Sequence, residues 1–268
     1  MNTQDYQIEM EKLFHKNQLI PRIKAEFTSM PEFHNHMILN GIPLDFGYDL
    51  LVQMVLHKRA GLPILVGLLR KHFAGDCQQT ADMILKAAQA DLVDWSAPLL
   101  TFIIRYDITP DVQMDLDRYQ YPLPMIIDPK ELKKNTDTGY YTYNASVILK
   151  DNHHDGDVCL DHLNAMNRIK LSINHDVAHM IHNQWKNLDK PKEGESKQDF
   201  DRRKKQFAKY DRTAKDVMAH LAVADNVFHL THRYDKRGRT YSQGYHVNYQ
   251  GNTWNKAVIE FAHQEVPN

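Results

Sequence analysis

The first third of the chain sets short apolar faces against polar ones at helical spacing. Residues 3–28 place Tyr6, Met10, Leu13 and Phe14 on one face, with Pro21 marking a kink or break. Residues 30–45, which include Pro31 and Pro43, read as a connector. Residues 46–94 give three helical patterns, divided by Gly61-Leu62-Pro63 and by Gly75-Asp76. The stretch 62–69 is almost wholly apolar, as in a buried helix. A further helix is predicted from Ala97 or Pro98 to about Arg105, ending near Thr109-Pro110.

The texture then changes. Tyr121-Pro122-Leu123-Pro124 leads into Met125-Ile126-Ile127, and residues 140–149 alternate weakly like a strand that is able to pair with it. Residues 160–185 predict one long amphipathic helix through Leu163, Met166, Ile169, Ile173, Val177, Met180 and Ile181. A charged linker at 189–196 precedes a second long helix at 200–227, basic in its first half and small and apolar in its second. Residues 228–247 read as β-structure around a turn at 236–238. Residues 253–262 read as a short helix capped by Asn252 or Thr253. The sum is mainly α with a small β element. Two domains are expected: residues 1–118 as a helical N-terminal domain, and residues 119–268 as a second module.

Composition narrows the class. The 268 residues hold 42% apolar and 25% charged side chains, values that argue against wholesale disorder. Cys77 and Cys159 cannot build a disulfide framework, and no C-x-x-C spacing is present. No apolar run approaches bilayer length, and the first twenty residues are too charged for a signal peptide, so neither a membrane span nor secretion is expected. The net charge of −1 hides an asymmetry. Residues 1–128 carry 11 Lys/Arg against 16 Asp/Glu, and residues 129–268 carry 22 against 18. Between Lys197 and Arg239 the ratio is 12 to 6. A polyanion responds to local potential, so the C-terminal half is the one suited to face it, although a solvated lysine-rich helix gives the same count.

Histidine is abundant, at 16 residues. His175 and His179 share a helical face, with Asp176 where a zinc protease carries Glu. They define a metal-hydrolase alternative that lacks a specified third ligand. His34, His36, His153 and His154 fall in expected surface loops. Asp155-Gly156-Asp157 lacks the ligand spacing of a calcium loop. No Rossmann fingerprint, P-loop or Gly-x-Ser-x-Gly is present.

The informative run is residues 234–262. Arg237-Gly238-Arg239 sets two permanent cations around a residue that allows close backbone approach. Tyr241, Tyr245 and Tyr249 supply rings able to pack on a sugar or base. Gln250-Gly251-Asn252 opens a helix whose amides and free N–H groups suit a phosphate, with Lys256 a turn in. A nucleic-acid contact is one reading, and an ordinary solvated turn is the other.

This run resembles the Asp-x-x-Gly-Arg region of the single-subunit RNA polymerases of phages and mitochondria. The matching positions are Asp235, Arg237, Gly238, Arg239 and Tyr241, then Gln250, Gly251, Asn252 and Lys256, with about one extra residue between the blocks. Upstream, residues 124–129, Gly139-Tyr140-Tyr141 and the pattern from Leu163 to Trp185 are similar in order to the same family. Residues 50–95 are more loosely similar to helices of its N-terminal domain. The resemblance implies the N-terminal portion of such a polymerase, with residues 119–268 leading into the base of thumb and palm. It implies that Arg237, Gly238, Arg239, Tyr241, Gln250, Gly251, Asn252 and Lys256 bind template DNA and RNA–DNA hybrid, with Asp235 bracing the arginines.

The family's metal-binding aspartates, its fingers and its ribonucleotide-selecting residues are not found here. Catalysis and Mg2+ are therefore expected on a partner chain, as in a heterodimeric DNA-directed RNA polymerase of a bacteriophage acting in the host cytoplasm. The strands at 228–247 and the C-terminal helix are expected to be buried against that partner. The short interval between Arg105 and Pro122 puts the promoter-melting elements of relatives in doubt, so single-stranded template and a single-stranded-DNA-binding helper are expected. A non-enzymatic nucleic-acid-binding accessory protein is the main alternative.

Overall fold

The computed structural model describes residues 2–14, 16–142, 145–149, 156, 158–185 and 188–263. It is about 51% helix and 10% strand, which fixes the class as mainly α with a small β element. Two compact units form: Lys16–Leu116, and Met1–His15 together with Asp117–Asn268.

Helix α1 (Thr3–Glu11) is capped by Asn2, whose side chain accepts from the Asp5 N–H. The chain breaks after it, ahead of a 3-10 turn at Lys16–Leu19, and not at Pro21. Pro21 instead lies in the first turn of α2 (Ile20–Thr28), where a missing N–H costs nothing. The expected connector at 30–45 contains α3 (Pro31–Leu39), started by Pro31 in the same way. His34 and His36 therefore sit on a helix, and the His36 ring donates to the Ala90 carbonyl at 2.6 Å.

Helix α4 (Leu44–His57) is the most enclosed element of the Lys16–Leu116 unit, with Phe46, Leu50, Val52 and Val55 fully buried. Strand β1 (Arg59–Ala60) follows, then α5 (Leu62–Leu69) and α6 (Cys77–Gln89), the last capped by Asp76. The apolar helix α5 is not buried all round. Leu65 and Leu69 are enclosed, but Ile64 is 54% exposed. The helix expected at 97–105 is a hairpin, β2 (Asp94–Ser96) with β3 (Thr101–Ile103). Trp95 lies opposite buried Phe102, and β1 pairs with the far edge of β3. Period two fits Thr101–Ile103 as well as a helical period does, and cross-strand burial decides between them. Helix α7 (Pro110–Tyr119) falls outside the expected elements, although Pro110 opens it.

In the other unit the helix expected at 160–185 is three elements: α8 (Leu160–Asn167), β4 (Leu171–Ile173) and α9 (His175–Met180). Asn174 caps α9 by accepting from the Val177 N–H, and this fixes the break. Helix α10 (Lys197–Val223) matches its expectation closely and is capped by Ser196. The hairpin β5 (His232–Tyr234) and β6 (Thr240–Ser242) turns through residues 235–239. Helix α11 (Thr253–Val258), capped by Asn252, stops short of the expected 262 and passes into β7 (Ile259–Phe261), which pairs antiparallel with β4.

Met125 and the 140–149 segment do not pair with each other among the described residues. Met125 exchanges backbone bonds with His229 (2.9 and 2.7 Å), and the Tyr234 N–H donates to the Val147 carbonyl at 2.7 Å. The core gathers Phe14 of the N-terminal segment, Met125, Tyr140, Val217 and Leu221 of α10, Phe228, Leu230, Val247 and Val258. Within 228–247, Phe228, Leu230, His232, Tyr234 and Val247 are buried inside their own unit, while the turn at 236–239 and Tyr245 face solvent. The acidic turn around Asp155 and the pair His153-His154 lie outside the described residues, apart from Gly156. Both cysteines are exposed thiols. Among the described residues no helix is long and apolar enough to cross a membrane.

Candidate nucleic-acid interface

The β5–β6 hairpin is organised by one carboxylate. Asp235 Oδ1 accepts from the backbone N–H groups of Arg237 (2.9 Å) and Arg239 (3.0 Å). Its Oδ2 accepts from Arg239 Nε at 2.8 Å and lies 2.7 Å from a second nitrogen of the same guanidinium, a forked, charge-assisted contact. Arg237 Nε stands 3.5 Å from the same oxygen, and the Tyr241 hydroxyl donates to it at 3.4 Å. Partial burial works against ionisation of Asp235, but the hydrogen bonds from Arg239 prevail and hold the carboxyl below its usual range. Arg239 is raised in turn, chiefly by its hydrogen bond to Asp235.

The backbone closes the turn with Asp235 N–H to the Arg239 carbonyl and Gly238 N–H to the Asp235 carbonyl, both 2.9 Å. Gly238 has φ +78°, which suits glycine, and a Cβ built there meets nothing within 4 Å. Its role is conformational. The Arg239 guanidinium lies 5.6 Å from the centre of the Tyr241 ring. With arginine side chains 65% and 53% exposed above a carboxylate only 15% exposed, the hairpin presents cations to solvent and keeps their counter-charge behind them.

The second block is wired to the first. Gln250 accepts from the Ser242 N–H at 2.9 Å and donates to the Thr240 carbonyl at 3.2 Å, serving β6 as an added strand would. Gly251 packs so closely that a Cβ would stand 2.8 Å from the Asn248 carbonyl oxygen. Asn252 accepts from the Asn255 N–H at 2.9 Å and donates to Asn183 at 2.9 Å, while Asn255 donates to the Tyr210 hydroxyl of α10. These amides are consumed in holding the fold. At the start of α11 Asn252 accepts from the Asn255 N–H with its side-chain oxygen and from the Lys256 N–H with its carbonyl. Lys256 itself is exposed on α11.

Sequence reasoning misses His232, whose signal drowns in the abundance of histidine. It is buried between Asn167 Oδ1 (2.9 Å) and the Tyr249 hydroxyl (2.8 Å). The amide oxygen only accepts, so Nδ1 carries the proton and Nε2 accepts from tyrosine. Burial pushes its pKa down to about 4. The ring borders an apolar cavity of about 370 Å3 that includes Leu171, Ile259 and Phe261.

The metal alternative gains nothing from the geometry. His179 Nδ1 donates to the His175 carbonyl at 2.5 Å, and among the described residues no three His, Cys, Asp or Glu side chains are grouped to hold an ion. Asp235, engaged by two arginines, does not fit Mg2+ either. No protein-family model matches this sequence, and no curated protein matches it.

Proposed function

We propose that this chain is the N-terminal subunit of a split, phage-type DNA-directed RNA polymerase and forms the side of its cleft that holds template DNA and RNA–DNA hybrid. Arg237 and Arg239 contact phosphates, Tyr241 packs beside a sugar or base, and Lys256 adds a further cation. Asp235 fixes the two arginines, and Gln250, Gly251 and Asn252 are the scaffold that holds the hairpin. Nucleotidyl transfer and its Mg2+ belong to a second subunit that carries palm and fingers. The setting is the cytoplasm of an infected bacterium, with a single-stranded-DNA-binding helper to present the template.

The observation that carries the reading is the hairpin: two exposed arginines, locked by a shared carboxylate, with one guanidinium beside a tyrosine ring. Pre-orientation of this kind favours a fixed phosphate spacing over diffuse attraction. The test is run-off transcription on single-stranded DNA with this chain, the palm-bearing subunit, or both. RNA is expected only from the pair, and in strongly reduced amount when Arg239→Ala replaces the wild type. Full activity of the second subunit alone would overturn the proposal in favour of an accessory nucleic-acid-binding protein.

A further inference from the structure

Next to α10 an aromatic pocket of about 200 Å3 opens in the Asp117–Asn268 part of the chain. Its walls are Tyr121, Trp185, Tyr210 and Tyr245. Tyr121 and Tyr245 stack at 4.5 Å, Tyr245 meets Tyr210 edge-on at 5.4 Å, and Trp185 lies 5.5 Å from Tyr210. Tyr121 and Tyr245 are 37% and 45% exposed, so part of this stacked pair is open to solvent. At the back sits His246, 6% exposed, and neither of its ring nitrogens has a hydrogen-bond partner among the described residues. The Asp117 backbone is near enough to favour a protonated ring, but it lies outside hydrogen-bond geometry. A buried imidazole with both nitrogens unmet is costly unless something else meets them.

We infer that this pocket receives one unstacked nucleobase of a single-stranded nucleic acid. The size selects a single flat ring system, since drug-sized ligands need roughly 300 Å3 or more. The neutral imidazole offers one donor and one acceptor, and base edges carry both kinds of group. An aromatic cage also suits an organic cation, but the charges here oppose one. Asp117, the buried carboxylate at the pocket, is already matched by Lys209 at 2.5 Å and Arg212 at 3.9 Å. Further along α10 stand Arg202, Lys204 and Lys205, all exposed. Lys209 at the pocket and the exposed cations about one to two turns before it on α10 attract the phosphates on either side of a base and repel a cationic ligand. The same row of charges favours a strand over a free nucleotide.

Capture of a base needs nothing from the arginine hairpin, and the test keeps the two sites apart. Affinities of the full chain for short oligo(dA) and for an abasic sugar-phosphate strand of equal length are compared by anisotropy, with Trp185 fluorescence read in parallel. Oligo(dA) is expected to quench Trp185 and to bind about 5- to 150-fold more tightly than the abasic strand, the range for one stacked base. Tyr245→Ala is expected to remove that advantage and leave abasic binding unchanged, while Tyr245→Phe retains it. Equal affinity for the two strands, an equal loss on both in Tyr245→Ala, quenching by free dAMP at the strand's own affinity, or quenching by choline in place of oligo(dA) would each overturn it. Arg239→Ala leaves every wall of the pocket intact. Hybrid binding that is lost in Arg239→Ala beside an inert Tyr245→Ala therefore removes the pocket and spares the hairpin.

Discussion

At the residue scale the hairpin separates charge from placement, and mutation can address each. Arg239→Ala removes a cation and, on the proposed reading, its phosphate contact. It is expected to weaken RNA–DNA hybrid binding and to lower the slope of log K against log salt by about 1. Asp235→Ala leaves both arginines charged but frees them, since their backbone and side-chain bonds end on that carboxylate. Its expected signature is weaker hybrid binding at fixed salt with the slope retained. Parallel loss of slope in the two variants would mean that Asp235 does more than orient. The two glycines divide in a similar way. Gly238→Ala meets only the left-handed φ of +78°, a cost of about 1–2 kcal/mol, because the space around it is open. Gly251→Ala drives a methyl to 2.8 Å from a backbone oxygen, and chemical denaturation is expected to show the larger loss there, about 1–3 kcal/mol.

At the element scale α10 is the most legible part of the chain. Its apolar stripe ends in Val217 and Leu221, both buried, and its basic half stays in water. That half is held by local devices. Ser196 caps it, Glu195 grips Arg203 at 2.7 Å, and Arg203 and Lys204 lie against the Phe200 ring. Ser196→Ala is expected to cost about 1 kcal/mol, with hydrogen exchange rising in the first turns of α10 and unchanged around Leu221. The segment at 160–185 shows why other elements are hidden. Its apolar positions satisfy a helical period, yet Leu171 and Ile173 also satisfy period two. The choice is made by β7, about ninety residues later, which a local reading does not see. The hairpin at 94–103 is the same ambiguity at short range. Within the candidate site, Asp235 and its arginines are legible because their bonds are local in sequence. The engagement of Asn252 is not, because it depends on Asn183 from a distant segment.

At the scale of the whole molecule the two compact units carry different buried titrations, and acid should unfold them in a definite order. The Asp117–Asn268 part encloses four histidines whose pKa values are lowered by burial: His220, His229, His232 and His246, the last two to about 4. The unfolded chain binds protons at these sites below about pH 6.5 and the folded one does not, so stability is complete above 6.5 and is lost as pH falls toward 4. His232 and His246 alone account for about 3 kcal/mol each. In the Lys16–Leu116 unit the dominant group is Asp49. Burial opposes its ionisation, but Lys71, Lys24 and His72 outweigh this and bring its pKa to about 2. That contribution is present above the unfolded value of 3.8 and is lost only as pH falls through 2. The tryptophans report the units separately, Trp95 in one and Trp185 with Trp254 in the other. In urea titrations between pH 7 and 4, the midpoint of a Trp95→Phe variant is expected to fall steeply. A Trp185→Phe/Trp254→Phe variant, which follows Trp95, should hold its midpoint over the same range. His246→Gln, which removes a ring that makes no hydrogen bond among the described residues, should flatten the first curve and leave the second unchanged. Midpoints that fall together in both reporters would show that the units unfold as one and that the histidines do not set the order.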